Sequence, residues 1–200
     1  MEEKTFELIE RLKEDIYSER DFHFWKYINE LEEVLPHIKS ENKGEIRENV
    51  VIKGNLVLGE NSIIHPGTVI DGNVLIGNNC NIGPNAYLRE NVYVGNNCHI
   101  GISEVKNSII LNNSNVPHFN YVGDSVIGED SNLGAGTIIA NLRHDQKTIR
   151  VLINGEKVDS GRVKLGAFIG SNTKTGINAS INCGTFLRNN SKILPSEFVK

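Results

Sequence analysis

The chain has 200 residues, of which 38% are hydrophobic and 23% charged, and its formal net charge is −4 at pH 7. These values are typical of a globular domain, alone or with a small appendage, and they exclude recruitment to nucleic acid or an anionic membrane through bulk charge. No apolar run approaches the roughly 18 residues of a transmembrane helix, and the acidic N-terminus is unlike a secretory signal. The sequence therefore predicts a cytoplasmic protein.

The first segment has the pattern of amphipathic helices. Residues 4–38 carry apolar side chains at spacings of three and four with charges between them. A break near Ser18–Asp21 predicts two helices, and Pro36 lies close to the end of the pattern. We expect this helical segment, residues 1–44, to pack on the rest of the chain or on a neighbouring subunit. A specific partner-binding role is the alternative.

After residue 45 the apolar period changes to six. The first uninterrupted run is Ile52, Leu58, Ile64, Ile70, Ile76, Ile82, Leu88, Val94 and Ile100. A helix cannot produce a period of six, whereas strands of about three residues joined by turns rich in Gly, Asn, Asp and Pro can. Repeats of this length are typical of a parallel β-helix, in which stacked coils bury one continuous apolar column.

The repeat is interrupted twice. Its phase slips between residues 100 and 110, and residues 142–165 lack the hexads altogether. Asn154-Gly155 and the alternation in residues 148–153 predict an excursion that contains a β-hairpin. Loops that project from a rigid scaffold often carry function.

The three cysteines form no C-x-x-C pair. Cys80 and Cys98 are separated by three hexads, and Cys183 lies far from both. In a chain with no predicted export signal, we expect buried reduced thiols rather than disulfides or a metal site.

The hexads resemble the repeat of left-handed parallel β-helix acyltransferases, in which Gly follows Leu, Ile or Val. Three segments carry a closer resemblance: SEVKNSI, VPHFNYVGDSVIGEDSNLGAGTIIANL and KLGAFIGSNTKTGINASI. Across residues 45–198 the chain resembles the acetyltransferase domain of the bifunctional glucosamine-1-phosphate N-acetyltransferase / N-acetylglucosamine-1-phosphate uridylyltransferase, above all its archaeal sugar-phosphate nucleotidylyltransferase–acetyltransferase form. The resemblance implies a mainly β fold: a left-handed parallel β-helix over residues 45–200, after the α-helical N-terminal segment, assembled as a homotrimer.

The resemblance also implies the catalytic groups. It places the catalytic His at His118, a Glu that orients this His at Glu104, and a backbone N–H that binds the acetyl carbonyl at Ala135. A neutral imidazole is suited to accept a proton from an amine near pH 7. A carboxylate on its other nitrogen would fix the tautomer, and an N–H in a Gly-rich turn can approach a thioester oxygen closely.

For the acceptor substrate the resemblance implies a phosphate site and a sugar site. The phosphate residues are Lys106 and, provided that one residue is deleted near Ile102, Arg89. The sugar-side residues are Tyr121, Asn132 and Asn141. A sugar phosphate carries close to two negative charges, which accounts for an Arg and a Lys together.

Acetyl-CoA is the implied acyl donor, with Ala135, Ser171 and Asn189 on its side of the site. Asn189 departs from the family pattern, which has Ala there. The C-terminal arm that supplies an Arg to the cofactor in bacterial relatives has no counterpart before Lys200, and the nucleotidylyltransferase domain has none before residue 45. We therefore expect no uridylyl transfer, no Mg²⁺ requirement and no UTP binding.

The sequence thus predicts an acetyl-CoA-dependent N-acetyltransferase acting on glucosamine-1-phosphate or galactosamine-1-phosphate, with no nucleic-acid or membrane partner. Acetylation of oxygen or of a nucleotide-linked amino sugar stays open, as does a non-catalytic trimeric scaffold or sugar-phosphate-binding protein. A zinc carbonic anhydrase of the same fold is disfavoured, because the six His are scattered and Gly123 stands five residues after His118.

Overall fold

The computed structural model describes residues 2–200, so Met1, with which the predicted helical segment begins, lies outside the described residues. It contains α1 (Glu2–Tyr17), α2 (Trp25–Val34) and a 3-10 turn (Leu35–His37). The strands are β1 (Glu41–Asn42), β2 (Glu45–Ile46), β3 (Val51–Leu58), β4 (Ile63–Ile64), β5 (Val69–Ile76), β6 (Asn81–Ile82), β7 (Tyr87–Val94), β8 (His99–Ile110), β9 (Asn115–Gly123), β10 (Val126–Ile127), β11 (Ile138–Ile139), β12 (Arg150–Ile153), β13 (Glu156–Asp159), β14 (Phe168–Ile169), β15 (Lys174–Thr175), β16 (Ser180–Ile181), β17 (Phe186–Leu187), β18 (Lys192–Ile193) and β19 (Phe198–Val199).

Parallel pairing between residues one coil apart builds a solenoid. Val51 pairs with Val69, and Val69 pairs with Tyr87, each at a spacing of three hexads. Ladders of this kind recur three times per coil, so each coil has three sides and three corners. The predicted parallel β-helix of hexads is confirmed.

We name the corners by their residues. The Asn corner holds the turns of Asn61, Asn79 and Asn97, the His corner those of His118 and Ala135, and the Asp corner those of Glu90, Asn107 and Asp124. The side of the prism between the His and Asp corners carries Tyr87, Glu104 and Tyr121 in one register, and we call it the Tyr face.

The predicted apolar column fills the interior. Its members from Leu58 to Ile100 are each at most 1% exposed. Ile52 is 40% exposed, because no strand pairs with this end of β3 on the side away from β5. Cys80 and Cys98 are free thiols inside the column, as predicted, whereas Cys183 is only half-buried.

Two coils near His118 are shorter than three full hexads. Asn81 pairs with His99 at the full spacing, but Tyr87 pairs with Glu104 at one residue less and Val92 with Ser108 at two residues less. The first shortening brings Arg89 into register with Lys106. The sequence analysis placed Arg89 at the phosphate site on the condition that one residue is deleted near Ile102, and a shortened coil in this region is compatible with that condition.

The two predicted helices are present and cover one side of the prism. Their apolar faces, which include Leu12, Ile16 and Ile28, share one buried cluster with Val126 and Phe168, on the side between the Asp and Asn corners. The aromatic rings of Phe22 and Phe168 meet edge to face at 4.9 Å. The helical segment therefore packs on its own chain. Neither helix of residues 2–200 is long and apolar enough to cross a bilayer.

The predicted hairpin is also present. β12 and β13 pair antiparallel, and they are joined by Asn154 (φ 49°) and Gly155 (φ 83°), both left-handed as a two-residue type I′ turn requires. Ile149, Val151 and Ile153 pack into the cluster under the helices. The coil resumes afterwards, with Val126 paired to Phe168.

Candidate functional site

His118 and Ala135 occupy the same place in consecutive turns of the His corner. Each precedes a residue of positive φ, Phe119 at 51° and Gly136 at 73°. The backbone N–H of Gly136 donates to the carbonyl oxygen of His118 at 2.9 Å. Since neighbouring strands lie about 4.8 Å apart, this bond sets the Ala135 peptide directly beside His118.

The N–H of Ala135 is outside the hydrogen-bond ladder. Among residues 2–200 it has no hydrogen-bond partner. The same place in other coils is filled by Pro66, Pro84 and Pro195, each again followed by a residue of positive φ. Because proline has no backbone N–H, the turn forms without a hydrogen bond from this position. The N–H of Ala135 is therefore a donor that is available to a ligand oxygen.

The imidazole of His118 is exposed while its backbone is firmly held. The backbone N–H of His118 donates to Oδ1 of Asn120 at 3.0 Å, and Nδ2 of Asn120 donates to the Gly134 carbonyl at 2.7 Å. Asn120 is 3% exposed and joins the His118 and Ala135 turns, a role that the sequence analysis missed. Burial, with the nearby His118 and His65, lowers the pKa of His99.

Glu104, predicted to orient His118, makes a contact that the sequence analysis did not predict. Its register partner is Tyr121, whereas His118 pairs with Ile102, two residues earlier on β8. Its Oε1 accepts a hydrogen bond from Nε of Arg89 at 2.7 Å, and no hydrogen bond joins it to the imidazole among residues 2–200. The described residues also hold no group of three or more His, Cys, Asp or Glu placed to bind a metal ion.

The two predicted phosphate ligands converge on one carboxylate. Oε1 of Glu90 lies 3.1 Å from Nη1 of Arg89, and Oε2 lies 3.0 Å from Nζ of Lys106. Burial lowers the pKa of Arg89, but the hydrogen bond and charge of Glu104 outweigh it, and the net shift is upward. Arg89 and Lys106 are thus cations spaced to hold a single anionic group.

Glu90 has an unusual backbone for its residue type. It aligns with Gly54 and Gly72 in the two preceding coils, and it has φ 62° where they have 125° and 143°. A left-handed conformation is uncommon for a residue other than Gly, Asn or Asp. The exposed Glu90 carboxylate is nevertheless held against both cations, so this outlier lies at a candidate functional position.

Lys106 and Asn141 are both held by Asp124. Nζ of Lys106 is 3.0 Å from each Asp124 oxygen, and Nδ2 of Asn141 is 2.6 Å from Oδ2. Asn141 also donates to the hydroxyl of Tyr121 at 3.0 Å. Burial, followed by the charge of Asp124, raises the pKa of Tyr121. The hydroxyl of Tyr121 is therefore neutral and has its proton to donate.

Asn132 lies on the other side of the His corner. It bridges Asn115 and Lys174 in the ladder that runs through His99, and its N–H and carbonyl are used there by Thr173 and Thr175. Its side chain is the group left for a ligand. The structure thus places Asn132 beside the His corner and Tyr121 on the Tyr face.

Ser171 and Asn189 lie apart from these residues, at the Asn corner under α1. Oδ1 of Asn189 accepts the Ser171 N–H at 2.8 Å, and its Nδ2 donates to the Ile16 carbonyl at 3.0 Å. Oγ of Ser171 accepts the N–H of Glu129 at 3.1 Å. These groups are already bonded within the chain, to adjacent coils and, for Nδ2 of Asn189, to α1.

A wide groove lies elsewhere, between the excursion and the last coils. Its volume is about 1480 Å³, and its lining includes Arg143, Lys147, Arg150 and Lys157 but not His118. The candidate catalytic residues therefore stand on an open corner of the prism.

Comparisons with known proteins agree with the resemblance seen in the sequence. Residues 70–161 match the family model described as the GMPPB C-terminal domain. The chain is 48% identical over 161 residues to the bifunctional sugar-1-phosphate nucleotidylyltransferase/acetyltransferase of Sulfurisphaera tokodaii, a match that covers 80% of this chain and 40% of the relative. It is 55% identical over 172 residues to the bifunctional protein GlmU of Methanococcus maripaludis, covering 86% of this chain and 42% of the relative.

A solved structure of similar description is the acetyltransferase domain of PglB from Neisseria gonorrhoeae. It shares 14% identity at a TM-score of 0.38, over 74% of this chain and 53% of that chain. The present chain spans about two fifths of the length of the two curated relatives above. Over most of its β-helix, it is similar to part of proteins that carry the names of bifunctional sugar-1-phosphate nucleotidylyltransferase/acetyltransferase and GlmU.

Proposed function

We propose that the protein is an acetyl-CoA-dependent N-acetyltransferase that acts on an amino-sugar 1-phosphate, either glucosamine-1-phosphate or galactosamine-1-phosphate. The observation that carries the proposal is the exposed His118 beside the unpartnered N–H of Ala135, held together by the Gly136–His118 hydrogen bond. The name of the Sulfurisphaera tokodaii relative also joins a sugar 1-phosphate with an acetyltransferase.

His118 and Ala135 divide the chemistry between them. The neutral amine forms a bond to the thioester carbonyl carbon, the C–S bond breaks, and His118 accepts the proton that the amine loses. The N–H of Ala135 donates to the carbonyl oxygen as negative charge develops on it. The sulfur leaves as a thiolate and takes up a proton. Acetyl-CoA supplies the acetyl group in activated form, as a substrate.

Arg89 and Lys106 hold the phosphate in this proposal. Both already share one carboxylate of Glu90, at 3.1 and 3.0 Å. A phosphate oxygen that replaces this exposed carboxylate meets the same two donors, with a larger negative charge. Asn141 uses its Nδ2 on Asp124 and Tyr121, which leaves Oδ1 as an acceptor for a sugar hydroxyl or amine. We retain Asn132 as a second sugar ligand.

A homotrimer would complete the site, since His118 stands on an open corner. The neighbouring protomer would then supply the wall that encloses the substrates. Ala135 suits the acetyl end of the donor, whereas Ser171 and Asn189 would have to exchange internal hydrogen bonds to reach its adenine end. Ser171 and Asn189 are proposed contacts of acetyl-CoA on the condition that these internal hydrogen bonds exchange.

A thiol-release assay with acetyl-CoA and a panel of amino-sugar 1-phosphates tests the proposal. His118→Ala should lower kcat by roughly 10²–10⁴-fold, as loss of a general base does, because the exposed ring can be removed without disturbing the core. His65→Ala is the matched control, since His65 lies at the same corner of an earlier coil and contacts Arg47. Equal rates for wild type and His118→Ala would remove His118 from the mechanism.

One observation favours a second candidate, a protein that binds sugar phosphate without turning it over. Glu104 contacts Arg89 rather than His118, so the imidazole has no carboxylate partner among residues 2–200. Calorimetric binding of the sugar phosphate with no thiol release in any condition would support this candidate. Turnover that depends on His118 would exclude it.

A further inference from the structure

Asp124 is a buried carboxylate at the Asp corner, and four side chains donate hydrogen bonds to it. It is 1% exposed, and Lys106, which it faces through both oxygens, is 3% exposed. A buried charge is tolerated only where its partners satisfy it fully. The side chain is therefore committed to one geometry, and so is the ammonium group beside it.

Three further donors complete this arrangement. Nδ2 of Asn107 lies 2.9 Å from Oδ1, Nδ2 of Asn141 lies 2.6 Å from Oδ2, and Nη2 of Arg162 approaches Oδ1 at 3.5 Å. Asn107 and Asp124 sit at the same place in consecutive turns, with φ 46° and 49°. Asn141 and Arg162 lie near the two ends of the excursion. Asp124 thus joins the coil stack to the excursion.

The helical segment reaches the same cluster through Glu32 of α2. Oε1 of Glu32 accepts hydrogen bonds from Nδ2 of Asn107 at 2.6 Å and from Nη2 of Arg162 at 2.7 Å. Its Oε2 accepts from Nη1 of Arg162 at 3.1 Å. Burial raises the pKa of Glu32, but the hydrogen bonds from Arg162 and Asn107 outweigh it, and the pKa lies below its ordinary value.

We propose that Asp124 is the positioning residue of the substrate site, and that Glu32 of α2 and Arg162 of the excursion hold it there. The inference rests on the proposed function, because Lys106 and Asn141 are the groups assigned to the phosphate and the sugar. Asp124 orients both of them at once. It leaves one N–H of Lys106 for the position where Glu90 now lies, and it leaves Oδ1 of Asn141 free.

This assignment gives the helical segment a task beyond covering apolar surface. Glu32 and Asn107 are 75 residues apart in the chain, and Glu32 and Arg162 are 130 apart, yet they close one network. A shift of α2 would move Arg162 and Asn107 together, and both touch Asp124. Acceptor-substrate affinity therefore depends on α2, although α2 contributes no proposed substrate ligand.

The test compares Michaelis constants for the two substrates in wild type, Asp124→Asn and Glu32→Gln. Asp124→Asn loses the charge that faces Lys106, and Glu32→Gln weakens the hold on Arg162 and Asn107. We expect KM for the sugar phosphate to rise about tenfold in Asp124→Asn and about threefold in Glu32→Gln, the scale of one weakened charged hydrogen bond. KM for acetyl-CoA should stay within about twofold of wild type.

Glu30→Gln is the matched control, because Glu30 lies on the same helix and pairs with Arg11 at the surface. Unchanged KM values in a folded Asp124→Asn and in Glu32→Gln would overturn the positioning role while leaving the proposed function intact. If Asp124→Asn does not fold, Glu32→Gln decides the question. A wild type that neither binds nor acetylates the sugar phosphate would overturn both.

Discussion

The His corner and the Asp corner border the same Tyr face, yet their polar groups differ in exposure and in hydrogen bonding. At the His corner the imidazole of His118 is exposed and the Ala135 N–H has no partner among residues 2–200. At the Asp corner Asp124 is 1% exposed and four side chains donate to it. Groups proposed to react are left unpaired, whereas groups proposed to recognise charge are fixed by their neighbours.

The largest expected effect on stability comes from the buried pair at the Asp corner. Asp124→Asn leaves the ammonium of Lys106 buried without its main counter-charge, and the free energy of unfolding should fall by about 3–5 kcal/mol. Chemical denaturation measures this. Glu41→Gln, which removes an exposed ion pair with Lys43, should cost at most about 1 kcal/mol. Equal losses of unfolding free energy in the two variants would contradict the claim that the buried Asp corner is more strongly stabilised than an exposed ion pair.

Glu90 offers a smaller effect of opposite sign, on binding. Its carboxylate occupies the place proposed for the substrate phosphate, so Glu90→Gln should lower KM for the sugar phosphate by about two- to fivefold, the scale of a partly exposed ion pair. Glu48→Gln, an exposed carboxylate at the His corner, should leave KM unchanged. A higher KM in Glu90→Gln would show that Glu90 assists the substrate instead of competing with it.

The smallest effect is a change in acid sensitivity. The pKa of Glu32 is lowered by folding, so the unfolded chain binds the proton more readily and the contribution of Glu32 is present above its unfolded pKa of about 4.3. That contribution is lost as pH falls below this value and through the folded pKa. Glu32→Gln should therefore show a shallower fall in unfolding free energy below about pH 4.5. Parallel curves for the two proteins would contradict the pairing of Glu32 with Arg162.

The architecture could be predicted from the sequence because it depends on local, repeating chemistry. The six-residue apolar period determines which side chains face inward, and Asn154-Gly155 identifies the hairpin turn. The irregular hexad near Ile102 is also visible in the sequence, and the coil is shortened there. Each of these features is contained within one or two coils.

The polar network could not be predicted in the same way. Glu104 lies opposite Tyr121 and bonds Arg89, whereas His118 pairs with Ile102, and no residue type in the sequence indicates this pairing. Glu32 and Arg162 reach Asp124 only after a helix and an excursion fold onto the coils. The available signals were weak: a Glu where earlier coils have Gly at the place of Glu90, and an Asp in the turn after Tyr121.

The proposed acetyl transfer depends on the N–H donor of Ala135 at the His corner, and one substitution removes that donor alone. Ala135→Pro deletes the N–H at a turn position where Pro66, Pro84 and Pro195 already occur, so the coil should fold normally. Ile177→Pro makes the same change in the next coil, before Asn178.

We predict that Ala135→Pro lowers kcat for acetyl transfer by roughly 10²–10³-fold and that Ile177→Pro leaves it unchanged. A folded Ala135→Pro protein with wild-type kcat would contradict the assignment of the His corner as the site of acetyl transfer.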